Sequence, residues 1–249
     1  MFHVKPDVPK AAEVQQVDGL ISDAASLGVT IDVHGAELMM KHLHRALEEN
    51  LRLNLTAVTE WDRALRLHVL DSLGAIPYLP SGVAKTADLG SGAGFPGIPI
   101  AIVTRTRVAL VESIRKKAAF LESVVSELGI GQVAAVRCGR AEELALTDAG
   151  AYECVTARAL SSLPALVELA SPLLAIGGSL IAMKGRPDEA ELDAGVRAGT
   201  LVGMTEEGRY HYVLPGAGEQ RTIVRYSKVA EPELSLPRRP GLAQKRPLA

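Results

Sequence analysis

Aromatic residues are scarce in this sequence, with three Phe, five Tyr and one Trp among 249 residues. A core must therefore be assembled from Ala, Val, Leu and Ile. That palette suits parallel strands covered by helices on both faces. Cysteine is nearly absent, with only Cys138 and Cys154. Two such thiols form no CxxC pair and no zinc-ligand spacing, so a disulfide framework and a structural zinc site are not expected. Both read as reduced thiols of a cytoplasmic protein. Charge of one sign is also lacking, the formal net charge being -2. Bulk charge thus does not make the chain a nucleic-acid binder, and any such contact must come from a local basic surface. No run approaches the ~18 apolar residues of a membrane span. The stretch from Met1 to Lys10 has no apolar segment of signal-peptide type.

What is present is globular: 47% hydrophobic and 22% charged residues. Ala11 to Leu27 and Ala36 to Leu53 carry apolar residues at three- and four-residue spacings, in the second case Leu38, Leu43, Leu47 and Leu51. Thr59 to Leu73 reads as a third helix, and Gly74, Pro77, Pro80 and Gly82 mark a boundary after it. From Lys85 the rhythm becomes strand, turn, helix, strand. Expected strands are Thr86–Leu89, Arg107–Val111, Val133–Arg137, Tyr152–Thr156 and Gly178–Met183. Expected helices begin at Ile98 and span Ser113–Leu128 and Leu163–Leu174. This alternation predicts a parallel sheet with helices on both faces. Tyr210–Leu214 and Thr222–Tyr226, around Pro215-Gly216-Ala217-Gly218, predict a closing antiparallel hairpin. Three regions result: a helical extension over 1–80, a Rossmann-like α/β domain over 81–228, and a Pro-rich tail over 229–249. From Pro237 the tail carries Arg238, Arg239, Lys245 and Arg246 with no acid. It reads as either a solvated terminus or a basic strap over phosphates, in both cases adding little to a core.

The strongest local motif is Asp88-Leu89-Gly90-Ser91-Gly92-Ala93-Gly94-Phe95-Pro96-Gly97, placed between a strand and a helix. Glycines let such a loop turn sharply and approach a ligand, and the following helix offers free amides. Glu112 ends the next strand, about 20 residues on, where an acid can accept hydrogen bonds from ribose hydroxyls. Gly92 to Gly97 also satisfies GxGxxG, so a NAD(P)-linked oxidoreductase is an alternative reading. Asp88 just before the loop favours an S-adenosyl-L-methionine pocket instead.

The chain resembles the glucose-inhibited division protein B family, the guanine-N7 methyltransferases of 16S (small-subunit) ribosomal RNA. The likeness is carried by Asn54-Leu55-Thr56, by His68-Val69-Leu70-Asp71-Ser72-Leu73, by the glycine loop through Pro99, and by Glu112 to Leu121. It continues in Arg140-Ala141-Glu142, Ala157-Arg158-Ala159, Lys184-Gly185 and the terminal Pro-Arg-Arg-Pro-Gly. The resemblance implies a class I methyltransferase with an antiparallel last strand. It implies that Gly90, Phe95, Glu112, Ala141, Glu142 and Arg158 hold the methyl donor, beside Asp88, Gly92 and Gly94 of the loop. It further implies 16S rRNA or the small ribosomal subunit as partner.

The residues constrain the chemistry independently. No Pro-Pro-aromatic element follows the fourth strand, as exocyclic-amine transfer would use, and Cys154 lies within a predicted buried strand. Guanine N7 carries a free lone pair, so its methylation needs no general base and can rest on alignment and electrostatics. Arg158, at the carboxyl edge of the sheet, is the expected catalytic residue; otherwise it pairs with a carboxylate such as Glu142. Arg66, His68, Lys184, Arg238 and Arg239 are the expected RNA contacts. Lys116 and Lys117 read as a solvated helical face. A metal site and a membrane association are not expected, and a monomer is. A non-catalytic RNA-binding protein on the same fold is the remaining alternative.

Overall fold

The computed structural model describes residues 10–216 and 218–249. The expectation about a signal segment thus falls, but for Lys10, outside the described residues. Helix α1 (Lys10–Ser26) and helix α2 (Val33–Leu53) come first. Asp32 caps α2 by accepting the Gly35 amide at 2.6 Å, and Asn54 ends it in a left-handed conformation. The buried stripe of α2 is Ala36, Met39, Leu43, Ala46 and Asn50, whereas Leu51 is 89% exposed. The amphipathic spacing is therefore present, rotated by about one residue from the leucine pattern.

The third helix is not uniform. It runs as α3 (Trp61–Ala64), a π-helical segment over Leu65–Leu70, and α4 (Asp71–Leu73). A π segment puts an extra residue in the turn and changes the direction of the side chains that follow.

Strand β1 (Lys85–Leu89) leads through α5 (Gly97–Thr104) to β2 (Arg107–Glu112). Next come α6 (Arg115–Glu127), β3 (Ala134–Cys138), α7 (Ala141–Leu144) and β4 (Tyr152–Arg158). Helix α8 (Leu163–Ala170), β5 (Leu174–Lys184), α9 (Glu189–Leu201), β6 (Met204–Val213), β7 (Gln220–Lys228) and α10 (Leu242–Lys245) complete the order. The sheet runs β3-β2-β1-β4-β5-β7-β6; β1 to β5 are parallel and β7 is antiparallel to both neighbours. The direction of winding reverses between β1 and β4, so a crevice opens there at the carboxyl edge.

Alternate strand residues feed two cores. Val108 and Leu110 of β2 face one that also contains Leu20, Met39, Leu43, Leu70, Ile98 and Leu121. Ala109 and Val111 face the other, with Leu166, Leu180, Val224 and Tyr226. The helical extension is thus built into the same core as α5 and α6. Each fully buried Leu or Met there contributes roughly 1.5–3 kcal/mol of burial.

Two expectations need correction. Helix α9 was not anticipated, because Gly195 and Gly199 dilute its helical pattern. They are there for close packing: a Cβ would sit 2.5 Å from the Tyr226 hydroxyl and 2.8 Å from the Met204 carbonyl oxygen. The tail, expected to add little to a core, is folded onto it. Ala243 is 1% exposed, and Leu234, Leu236 and Leu248 pack on the second core. Arg238 donates from Nε and Nη2 to the buried Glu168 carboxylate at 2.7 and 2.5 Å. A carboxylate inside an apolar helix face requires such a counter-charge.

Gly203 anchors the start of this tail. Its φ is +71°, its carbonyl accepts the Val229 and Ala230 amides, and a Cβ would lie 2.2 Å from the Ala230 oxygen. Gly203→Ala is expected to cost more than the ~1–2 kcal/mol of a left-handed residue alone. Urea unfolding of the variant checks this; a loss below that range would mean the tail junction simply shifts.

Candidate active site

The glycine loop is fixed from behind. Gly90 and Ser91 amides both donate to the Val111 carbonyl, at 2.9 and 3.1 Å. Asp88 is fully buried; its carboxyl accepts the Gly97 amide at 3.1 Å and the Thr156 hydroxyl at 2.9 Å. Burial pushes its pKa up. Asp88 therefore ties β1, the loop exit and β4 together and does not reach the cleft wall. Gly94 also points inward, where a Cβ would lie 2.6 Å from Ile98 and 2.9 Å from His42. Gly90 and Gly92, at φ +69° and +57°, face the cleft.

That cleft measures about 740 Å³. On the β1–β2 side it is lined by Gly90, Gly92, Glu112, Ser113 and Ile114. Glu112 Oε2 accepts the Gly92 amide at 3.0 Å and Oε1 accepts the Ile114 amide at 2.7 Å. A carboxylate has about four acceptor sites, so two remain for a ligand. Lys117, expected as part of a solvated face, also lines the cleft.

The opposite wall comes from β4, β5, β7 and the π segment. Arg158 Nη1 donates to the Leu67 carbonyl at 2.8 Å and to Asp71 Oδ2 at 3.1 Å. Its partner is thus Asp71, not Glu142. Asp71 Oδ1 also accepts from Arg221 Nε at 3.1 Å and from the Tyr212 hydroxyl at 2.9 Å. One buried carboxylate so holds two guanidinium groups against the cleft. Lys184 lines it too, paired with Glu191 at 2.7 Å and donating to the Ser161 carbonyl at 3.0 Å.

Phe95 joins the two walls. Its ring stacks on His42 at 4.2 Å and on His68 at 5.2 Å, with the Arg158 guanidinium 5.7 Å away. His42 Nε2 donates to the Ala93 carbonyl at 2.7 Å, and His68 Nε2 hydrogen-bonds the Thr56 hydroxyl at 2.8 Å. Burial foremost lowers both histidine pKa values to about 4.

Other expected residues lie elsewhere. Ala141 and Glu142 border a second cavity of about 50 Å³, which shares Gly90, Ser113 and Leu160 with the cleft. Arg66 sits outside the cleft lining, beside the turn at Gly216. Arg238 is taken up by Glu168, and Arg239 is exposed. Cys154 is buried and its thiol is pushed up to about 12, which removes it as a nucleophile. His42, Asp71, Tyr212 and Arg221 were missed as partners in the site. Of these, only Asp71 stood in a motif; Arg221 carries no local signal. Among the described residues there is no group of His, Cys, Asp and Glu fit to hold a metal, and no helix long and apolar enough to cross a membrane.

Residues 36–214 match the family model described as rRNA small subunit methyltransferase G. The chain belongs to that family. A relative of that name from Deinococcus radiodurans is 41% identical over 90% of this chain and 90% of its own. One from Carboxydothermus hydrogenoformans is 35% identical over 90% of this chain and 96% of its own. Among solved structures, an O-methyltransferase from Bacillus cereus in complex with SAH shares the fold at TM-score 0.54 and 16% identity. It matches 85% of this chain and 100% of that one. Cofactor-bound Rv0187 from MTB matches at TM-score 0.54 and 17% identity, over 90% and 99%. As a member of the rRNA small subunit methyltransferase G family, the protein is an S-adenosyl-L-methionine-dependent rRNA methyltransferase on a class I fold. The oxidoreductase alternative finds no support in these matches.

The histidine stack generates a pH dependence. Both folded pKa values lie below the ordinary 6.5, so the unfolded chain binds protons that the folded one refuses. Their contribution to stability is complete above pH 6.5 and is lost as pH falls toward about 4. Thermal melts across that window should show a steep decline in wild type and a shallower one in His42→Gln. Equal slopes would mean that His42 takes up its proton without disturbing the fold.

Proposed function

We propose that the protein methylates N7 of a guanine in 16S rRNA, using the cleft between Glu112 and Arg158. The observation that carries this reading is a cleft with a glycine-and-carboxylate wall facing a wall of guanidinium groups held by Asp71. The residues fit the methyl donor. Gly90 and Gly92 line the cleft without side chains, so a ligand can approach the backbone closely there. Glu112 keeps acceptor sites for ribose hydroxyls, Ile114 offers an apolar surface, and Ala141 and Glu142 border the extension of the cleft. Bound there, S-adenosyl-L-methionine supplies an electrophilic methyl group on a sulfonium.

The remaining work falls to the chain's own side chains. N7 of guanine has a free lone pair, so no group needs to remove a proton. With a pKa of about 4, His68 is neutral near pH 7 and acts as a shaped, uncharged wall. Arg158 and Arg221 present N–H donors where the acceptor oxygens of a guanine or its phosphate would lie. Asp71 holds them in place before substrate arrives, which is electrostatic preorganisation. A base reaches so narrow a cleft only after leaving its stack. The extension over 1–80 contributes Thr56, His68 and Asp71 to one wall, and the domain over 81–228 supplies the rest of that wall and the donor edge.

Phosphate contacts outside the cleft fall to Arg66 and Arg239, with Lys117 at its rim. Arg238 has its charge matched by Glu168, and Lys184 by Glu191, so both contribute less. The enzyme works as a cytoplasmic monomer in this reading.

Glu112→Ala should weaken S-adenosylmethionine binding by roughly 1–3 kcal/mol, through loss of charge-assisted hydrogen bonds to ribose and to the loop amides. Calorimetric titration checks it, and wild-type affinity would count against the pocket. For the substrate, cells lacking the protein should lack one N7-methylguanosine in 16S rRNA. An unchanged modification map would sink the assignment.

A further inference from the structure

The tail sits against the donor side of the molecule. Gly241, at φ +78°, donates its amide to Glu142 Oε1 at 2.6 Å. Glu142 is buried, and its Oε2 accepts no hydrogen bond from the described residues. Arg238 clamps the segment through Glu168, and its Nη2 also donates to the Arg246 carbonyl at 2.8 Å. Between these anchors α10 buries Ala243 and sets Gln244 at the mouth of the 50 Å³ cavity. The floor of that cavity is Gly90, Val111 and Gly139, at the carboxyl ends of β1, β2 and β3. It is too small for a whole purine, but it shares three residues with the main cleft and can admit the edge of a ring.

The chemistry of this rim is specific. Glu142 Oε2 is an acceptor, and Gln244 carries both an acceptor and two donors. An adenine edge presents an amine that donates at N6 and a nitrogen that accepts at N1. The two sets are complementary, whereas hypoxanthine has a carbonyl in place of the amine. We infer that the C-terminal segment forms the purine end of the methyl-donor site, with Gln244 reading the adenine edge and Gly241 orienting Glu142 for it. This rests on the reading of the cleft as the donor pocket. It gives the tail a role on the donor side, apart from the phosphate contact of Arg239.

The test uses the full-length protein, Gln244→Ala, and a variant ending at Leu236. Each is titrated calorimetrically with S-adenosylhomocysteine and with its inosine analogue, and in parallel with small-subunit rRNA. Gln244 is exposed, so its replacement should not disturb folding. Gln244→Ala should bind S-adenosylhomocysteine about ten-fold more weakly and lose most of its preference for adenine over hypoxanthine. The shortened chain should lose at least as much, with rRNA affinity within two-fold of wild type in Gln244→Ala. Unchanged donor affinity and base preference in Gln244→Ala would overturn the inference, even if the shortened chain fails to fold. So would a shortened chain that folds, keeps its donor affinity and loses rRNA affinity, which would make the tail a strap on RNA. Should wild type itself not bind S-adenosylhomocysteine, the donor-pocket reading fails and the inference with it.

Discussion

One buried carboxylate, Asp71, sets the geometry of the reaction cleft. It lies at the end of the π segment and is shared by Arg158 of β4, Arg221 of β7 and Tyr212 of β6. Three distant parts of the chain are thereby drawn to one point. Taking charge out of water is costly, and the cost is offset only when hydrogen bonds satisfy the group fully. Asp71 meets that condition, accepting two guanidinium N–H groups and a hydroxyl. The guanidinium groups meet it only in part, which leaves them N–H donors to spend on a ligand. A lone arginine on the same strand would swing on its side chain; here the carboxylate fixes it before substrate binds.

The donor wall is built on a different principle. There the backbone approaches the ligand, and side chains hold the backbone from behind. Asp88 grips the loop exit, His42 grips the Ala93 carbonyl, and Glu112 bridges two amides across the strand end. Phe95 then passes the position of α2 to His68 through stacked rings. With aromatic residues so few, this one Phe between two histidines makes the stacked contact between the extension and the loop.

The sheet, its antiparallel hairpin, the loop and the place of Glu112 were all legible in the sequence, because each depends on local order: short apolar runs alternating with helices, glycines at a turn, an acid one strand later. What was not legible depends on contacts at long range. The Arg221–Asp71 pair joins residues far apart in the chain, and nothing near Arg221 announces it. The π segment looks like any helix by composition, since its extra residue is selected by the packing around it. Helix α9 was hidden by glycines that serve the strand beneath it. The tail read as a solvated terminus or a basic strap because prolines and arginines dominate it; Glu168, its counter-charge, stands alone in an apolar helix and gave no hint of a partner. Asp88 was identified as important, yet its carboxyl faces the interior and not the ligand.

The packing of the helical extension has a consequence for biosynthesis. Helices α1 and α2 leave the ribosome before the sheet does, yet their apolar faces are covered in part by α5, α6 and the start of β3, with Leu214 closing the same core. Until those segments are made, Leu20, Met39 and Leu43 can bury only against one another and against Val69, Leu70 and Leu73. The extension therefore cannot complete as a co-translational unit of its own. Its stable form waits on the nascent chain at least through Ala134, and over that interval it presents an uncovered apolar stripe of the kind chaperones bind.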